Sequence, residues 1–135
     1  MRFMVLVKSN DEAEAGVMPS EEILAEMMRY NSELARAGVM LDGSGLQPTA
    51  KGARVIFSGG KPTVTDGPFT EAKELVAGYW LIQVRSRDEA VEWAKRAPFQ
   101  KGELEIRQLF ELEDFGPSEA IDRARELEKQ LGGPR

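Results

Sequence analysis

The chain has no cysteine and no histidine among its 135 residues. Without cysteine it has no disulfide, no thiolate nucleophile and no thiolate metal ligand. Without histidine it lacks the commonest metal ligand and the commonest general base at neutral pH, and a serine–histidine mechanism is excluded. Proton-transfer chemistry in this chain must therefore depend on other groups, such as carboxylates or lysine.

Basic residues are outnumbered by acidic ones, 18 to 23, and long apolar runs are scarce. The formal net charge of −5 repels phosphates, so no direct binding of nucleic acid is expected. The apolar run at residues 1–8 is too short for a signal peptide or a membrane span, which predicts a cytoplasmic protein without a membrane partner. The acidic residues lack the order of a calcium loop, and we expect no metal and no other cofactor.

The length and composition indicate a single domain. Hydrophobic residues make up 41% of the 15.0 kDa chain, which is enough for a core without disulfides. No internal repeat or linker divides the sequence. We assign residues 1–115 to one domain and residues 116–135 to a C-terminal helical extension that packs on the domain or on its partner.

Hydrophobic periodicity predicts the elements of this domain. Residues 2–8 and 76–84 are apolar on both faces and should form central strands. The remaining predicted strands are 39–47, 53–58, 61–65 and an edge strand at 103–112, with Gly59-Gly60 as a hairpin turn. Predicted helices cover 20–37 with Ser20 as cap, 86–97 with a Ser86/Glu89 capping box, and 117–131 with Pro117 in the first turn. The loop 9–19 is interpreted as plain surface.

The order of these elements predicts a ferredoxin-like fold. The order β-α-β, hairpin, β-α-β is a split βαβ pattern, which places the first and third main strands at the centre of an antiparallel sheet. Two helices can cover only one face of that sheet. The other face is then expected to be covered by a second subunit, so the sequence predicts an α+β homodimer.

The densest mix of turn-forming and charged residues lies at residues 66–74, which read DGPFTEAKE. One interpretation makes Asp66 a general acid or base, with Lys73 steadying negative charge on a substrate. The other makes Asp66 a turn residue bonded to local backbone N–H groups, followed by a solvated helical turn. The sequence leaves both open.

Asp42 and Ser44 form a second candidate site. In a regular pleat they share one strand face with Met40 and can line a cavity. Ser44 is not expected to be a nucleophile because its activator would have to be lysine or a carboxylate. Asp42 is either a bulge or turn residue or one of two carboxylates in a cavity shared with Asp66.

Three further assignments concern aromatic side chains. Tyr79 and Trp80 point to opposite faces of their strand, and we assign Trp80 to the core and Tyr79 to the cavity. Phe69 joins Asp42, Ser44, Lys73 and Tyr79 in the predicted ligand-binding set.

The segment DGPFTEAKE resembles the signature of the DGPF family, a branch of the YCII-related domains. Residues 1–7, 37–39, 43–48 and 78–82 are similar to the strands of that family, so the resemblance covers about residues 1–111. It implies a ferredoxin-like α+β fold that dimerises in a barrel-type assembly, with no well-established activity. Some relatives accompany extracytoplasmic-function sigma factors, and distant relatives with this architecture isomerise or dehalogenate lactones.

Three functional hypotheses follow. The first is a histidine-free acid–base enzyme that isomerises or eliminates a small molecule, with Asp66 as its catalytic residue. The second is a ligand-binding or regulatory module linked to a sigma factor. The third is a purely structural dimer. A closed apolar cavity holding a carboxylate favours the first, a cavity without one the second, and a filled interior the third.

Overall fold

The structure is a computed structural model that describes residues 1–132, except for the side chain of Lys73. The strands are β1 (Arg2–Lys8), β2 (Met40–Gly45), β3 (Ala53–Ser58), β4 (Lys61–Asp66), β5 (Val76–Gln83) and β6 (Leu104–Gln108). The helices are α1 (Asp11–Glu14), α2 (Glu21–Arg36), α3 (Arg87–Lys95) and α4 (Glu119–Gln130), and 3₁₀ turns cover Thr49–Lys51, Ala72–Glu74 and Leu112–Phe115.

The main sheet has the predicted topology. Its strands follow the antiparallel order β2-β5-β1-β6, so that β1 and β5 lie at the centre. This is the strand order of a split βαβ fold, and it confirms the predicted α+β class. Strands β3 and β4 pair with each other in a separate two-stranded sheet.

Serine side chains cap the two helices that cover the sheet, α2 and α3. The Ser20 hydroxyl accepts a hydrogen bond from an amide in the first turn of α2, which ends before Gly38 at φ 71°. The Ser86 hydroxyl accepts from the Glu89 amide at 3.1 Å. The Glu89 carboxylate, however, accepts from the Arg85 amide at 2.8 Å, one residue before the position that a capping box requires.

The C-terminal part differs from the predicted boundaries. Strand β6 ends at Gln108 rather than at residue 112, and Phe110 beyond it is 72% exposed. Ser118 caps α4, which places Pro117 before the helix and not in its first turn. Helix α4 contacts the turn Leu112–Phe115, where Arg125 pairs with Glu113 at 3.2 Å. Within residues 1–132, no helix is long and apolar enough to cross a membrane.

Helices α2 and α3 cover one face of the main sheet. The buried side chains between them come from β1, β5, both helices and the segments beside them: Phe3, Val5, Tyr30, Leu34, Val39, Trp80, Ile82, Val84 and Ala90. Trp80 lies in this core as predicted, edge-on to Tyr30 at 5.3 Å between ring centroids. Its indole N–H donates to the Asn31 side chain at 2.8 Å, and the Tyr30 hydroxyl donates to the Trp93 carbonyl at 2.7 Å.

The opposite face of the sheet, which we call the second face, carries the alternate residues of the same strands. Met4, Leu6 and Tyr79 are half-buried there, and Leu81 is buried. Lys8 and Arg107 both pair with the Glu105 carboxylate at 3.2 Å. The two central strands therefore have apolar side chains on both faces, as predicted.

Candidate functional site

Strands β3 and β4 form an arm beside the main sheet. Gly59 and Gly60 both have positive φ, at 59° and 81°, which is the backbone that the predicted hairpin turn requires. All residues of both strands are exposed. Asp66 is the last residue of β4, opposite Ala53, so the candidate carboxylate lies at the base of this arm.

The segment that follows Asp66 is packed against the turn after β2. The Gly67 amide donates to the Gly52 carbonyl at 3.0 Å, and the Phe69 amide donates to the Thr49 hydroxyl at 2.9 Å. A Cβ on Gly67 would lie 1.7 Å from the Thr49 carbonyl oxygen, so only glycine fits there. These contacts fix the start of the 66–74 segment relative to β2.

Thr49 is itself held by the amino-terminal loop. Its amide and its hydroxyl donate to the two oxygens of the Glu14 carboxylate, at 3.0 and 2.5 Å. Glu14 ends α1, whose cap is the Asn10 side chain. The loop 9–19 is therefore not plain surface. Asn10 is a typical capping residue that could have indicated α1, but no local pattern pointed to the contact between Glu14 and Thr49.

The Phe69 ring packs under the arm. The Arg54 guanidinium lies 3.8 Å from the ring centroid, in the arrangement of a cation–π contact. Arg54 was not among the predicted site residues. Phe69 is half-buried, and its predicted contact with a ligand stays a prediction.

The Asp66 carboxylate is exposed, and no hydrogen bond or ion pair to it is found within the described residues. The amides of Gly67 and Phe69, which could have bonded to it in a turn, donate to Gly52 and Thr49 instead. The backbone of residues 72–74 forms the expected helical turn. The Lys73 side chain lies outside the described residues, so its predicted role is untested.

A bulge in β2 changes the predicted face of one residue. Met40 lies opposite Ile82, whereas Asp42 lies opposite Leu81, so two steps along β2 match one step along β5. The prediction that Met40 shares a face with Asp42 and Ser44 was wrong, because it assumed a regular pleat. Met40 packs against the core instead.

The bulge brings Asp42, Ser44 and Tyr79 together on the second face. Ser44 lies directly opposite Tyr79, and the Tyr79 hydroxyl donates to the Asp42 carboxylate at 3.3 Å. The other oxygen of Asp42 accepts from the Gly43 amide at 2.9 Å. This polar group is half-buried to exposed and can offer hydroxyl and carboxylate contacts to a ligand.

An open cleft of about 760 Å³ lies between the end of β1 and the 66–74 segment. It is lined by Ser9, Asn10, Asp11, Thr70, Glu71, Ala72 and Glu74. Neither Asp42 nor Asp66 lines it, and the sequence did not predict it. A cavity that joins Asp42 with Asp66 remains a prediction.

The strand order and the helix-covered face define a ferredoxin-like α+β protein. The chain belongs to the YCII-related domain family, whose model matches residues 1–113. An uncharacterised protein of Rhizobium meliloti (strain 1021) is 32% identical over 106 residues, covering 74% of this chain and 86% of that protein.

One solved structure is also similar. It is the 5-chloro-2-hydroxyhydroquinone dehydrochlorinase TftG of Burkholderia phenoliruptrix AC1100, in complex with 2,5-dihydroxybenzoquinone. The TM-score is 0.47 at 15% identity, and the match covers 82% of this chain and 94% of that chain. Helix α4 lies beyond the residues that the family model matches.

Proposed function

We propose that this protein is a homodimer of the DGPF branch that binds a small molecule near its dimer interface. It performs histidine-free acid–base chemistry there, with Asp66 as the proton-transfer group. The observation that carries this proposal is the contrast within the 66–74 segment. The backbone beside Asp66 is anchored, whereas its carboxylate is exposed and makes no bond within the described residues.

An Asp that only shapes a turn accepts hydrogen bonds from amides just after it in the chain. Here the Gly67 and Phe69 amides have other acceptors, so the turn keeps its shape without the carboxylate. A carboxylate presented by a fixed backbone is what general acid–base catalysis needs, because the reacting groups must meet in one geometry.

The second face supports the dimer. Met4, Leu6 and Tyr79 are only half-buried there, beside the buried Leu81. Soluble proteins rarely leave a large contiguous apolar surface uncovered. Packing two such faces in a barrel-type assembly places Asp42, Ser44 and Tyr79 at the interface, where they contact the ligand.

The proposed reaction is an isomerisation or an elimination. The Asp66 carboxylate removes a proton from a carbon made acidic by a neighbouring electron-withdrawing group. The electron pair then moves into the substrate, and either the proton returns at another carbon or a leaving group departs with its bonding pair. Lys73 stabilises the negative charge that develops. This sequence of steps needs no cofactor.

A thermal-shift screen of metabolites tests the proposal, because a ligand that binds the folded state raises the melting temperature. With such a ligand, Asp66→Asn should keep the thermal shift but lose turnover, since an amide cannot take the proton. The matched control is Asp88→Asn, an exposed carboxylate on α3, which should keep both. Full turnover in Asp66→Asn would remove the acid–base role.

The alternative function is a regulatory binding module linked to a sigma factor. No contact among the described residues specifically supports it. The same screen separates it from the enzyme. Binding of a ligand that the unmodified protein never converts would point to regulation, and the Asp66→Asn variant would then bind that ligand as the unmodified protein does.

A further inference from the structure

The hydrogen bond between Tyr79 and Asp42 on the second face has a fixed direction. An ionised carboxylate only accepts hydrogen bonds, so the Tyr79 hydroxyl is the donor across the 3.3 Å between the two oxygens. No other hydrogen bond of this hydroxyl is found within the described residues. A phenol has one proton and acceptor lone pairs. With its proton directed at Asp42, the Tyr79 oxygen can only accept a bond from a ligand.

The Asp42 carboxylate is held from its other side as well. Its second oxygen accepts a hydrogen bond from the Gly43 amide at 2.9 Å. The bulge after Met40 places Asp42 on the same face as Tyr79, and bulges re-aim side chains in this way. A Cβ on Gly43 would lie 3.0 Å from the Trp80 ring. The backbone that carries the carboxylate is therefore packed closely on the core.

The neighbours of Tyr79 on the second face are mostly apolar. Leu6 of β1 lies opposite Tyr79, and Met4 lies opposite Leu81, two residues further along each strand. On the other side, Ser44 of β2 lies opposite Tyr79. A serine hydroxyl can either donate or accept. Ser44 therefore imposes no direction on the hydrogen bond of a ligand, whereas Tyr79 does.

We propose that the Tyr79–Asp42 pair selects a ligand that carries a hydrogen-bond donor, a hydroxyl or an amine, on a small apolar body. The donor bonds to the Tyr79 oxygen, and the apolar body lies along Leu6 and Leu81. A ligand that presents only a carbonyl or carboxylate oxygen places one acceptor against another and leaves both unpaired. This inference rests on the ligand site of the proposed function and adds the class of ligand that the site takes.

The substitution Asp42→Asn should remove this selection. The Gly43 amide still needs an acceptor, so it keeps the oxygen of the new side-chain amide on its own side. The NH₂ group then faces Tyr79 and donates to the phenol oxygen, which turns the tyrosine proton outward to the ligand. A ligand that has only an acceptor can then form the hydrogen bond that the unmodified protein denies it.

Cyclohexanol and cyclohexanone test the selection, because they match in size and only the alcohol has a proton to donate. NMR titrations of the full chain give a dissociation constant for each probe from the shifts of the Ser44 and Tyr79 amides. Cyclohexanol should bind roughly fivefold more tightly to the unmodified protein, the effect of about one net hydrogen bond. Cyclohexylammonium, as a third probe, distinguishes the two donors: binding tighter than that of cyclohexanol assigns the site to amines, and weaker binding assigns it to hydroxyl compounds.

The variant Asp42→Asn is titrated with the same alcohol and ketone. Cyclohexanone should gain roughly fivefold in affinity and bind about as tightly as cyclohexanol. The matched control is Asp88→Asn, which removes one negative charge from the exposed side of α3 and should keep the preference for the alcohol. Near-UV circular dichroism checks that both variants fold. If Asp42→Asn does not fold, the preference of the unmodified protein still decides the inference.

Three results would overturn the inference. The first is the absence of any shift at Ser44 and Tyr79 with all three probes. The second is an unmodified protein that binds cyclohexanone as tightly as cyclohexanol. The third is a folded Asp42→Asn variant that keeps the original preference for the alcohol. None of these measurements involves turnover, so a failure of acid–base catalysis in Asp66→Asn is recognised separately.

Discussion

The two faces of the main sheet are made by alternate residues of the same strands, yet α2 and α3 cover only one of them. On the covered face, Phe3 and Ile82 are 2% and 1% exposed beneath α2 and α3. On the second face, Met4 and Leu6 on the same strand as Phe3 remain half-buried. The difference shows that apolar patterning specifies burial without specifying what provides it.

The largest effect on the free energy of unfolding should come from a substitution on the covered face. Ile82→Ala should lower the free energy of unfolding by about 2–5 kcal/mol, because it removes buried methyl groups and leaves a cavity. Leu6→Ala on the second face should lower it by only about 1 kcal/mol in the monomer. Urea denaturation at a concentration where the protein is monomeric measures both.

The same pair of variants should reverse their order when association is measured. Leu6→Ala should weaken the dimer more than Ile82→Ala does, because its side chain lies on the proposed interface. Equal losses of folding stability for the two variants, with no change in association for Leu6→Ala, would contradict the assignment of the two faces.

The next effect concerns the junction between the sheet and the arm. Gly67→Ala should destabilise the protein by about 1–3 kcal/mol, because the new Cβ collides with the Thr49 carbonyl and the segment must shift. Gly45→Ala is the control, since a Cβ there meets nothing within 4 Å. Thermal denaturation of both variants tests this, and equal melting temperatures would argue against the close packing at Gly67.

A smaller effect on the free energy of unfolding should appear at alkaline pH, and it comes from Tyr30 in the core on the covered face. Burial raises the pKa of Tyr30 from its ordinary 10.0 to about 12. The folded state therefore keeps a proton that the unfolded chain releases, so the free energy of unfolding falls as pH rises through this range. Tyr30→Phe should flatten that decline, while costing about 1 kcal/mol at neutral pH through the lost bond to the Trp93 carbonyl.

Urea titrations below and above pH 10.0 measure this decline. An alkaline decline that is as steep in Tyr30→Phe as in the unmodified protein would contradict the role of burial at Tyr30.

The smallest effect should come from the ion pairs of the second face. Hydrogen bonds from Lys8 and Arg107 lower the pKa of Glu105 below its ordinary value of 4.5. Its contribution to stability is therefore present above pH 4.5 and is lost as pH falls through the lowered pKa. Glu105→Gln should slightly reduce the loss of stability at acid pH, because ion pairs that solvent reaches contribute little.

Lys8→Met removes the contact at 3.2 Å between Lys8 and Glu105 and should reduce the loss of stability at acid pH in the same way. Acid titrations of the melting temperature compare the two variants with the unmodified protein. If the melting temperature of both variants fell with decreasing pH as steeply as that of the unmodified protein, the pairing at Glu105 would not contribute to stability at acid pH.

Much of the fold could be predicted because its signals are local. Ser20 and Gly38 mark both ends of α2, and Gly59-Gly60 identifies the turn of the arm. The central strands were found because they are apolar on both faces. The end of β6 was missed because the alternating pattern continues past Gln108, where the strand stops.

The candidate site was less predictable because its contacts join distant segments. The bulge after Met40 could not be inferred from alternation, which presumes a regular pleat. Likewise, Glu14 is separated in sequence from Thr49 by the whole of α2 and β2. No sequence pattern could pair these two residues, although each contributes to holding the segment beside Asp66 in place.

The hydrogen bonds of the Thr49 hydroxyl form a chain in which this hydroxyl accepts from one group and donates to the next. The Phe69 amide donates to the Thr49 hydroxyl, and that hydroxyl donates its single proton to the Glu14 carboxylate. Each bond of such a chain polarises the next one. Position 49 therefore needs a group that accepts and donates at the same atom, which a hydroxyl does and which neither a carboxylate nor an ammonium group can do. Besides the bond from the Gly67 amide to the Gly52 carbonyl, the anchoring of the chain beside Asp66 thus includes one hydroxyl proton, held by a residue outside the 66–74 segment.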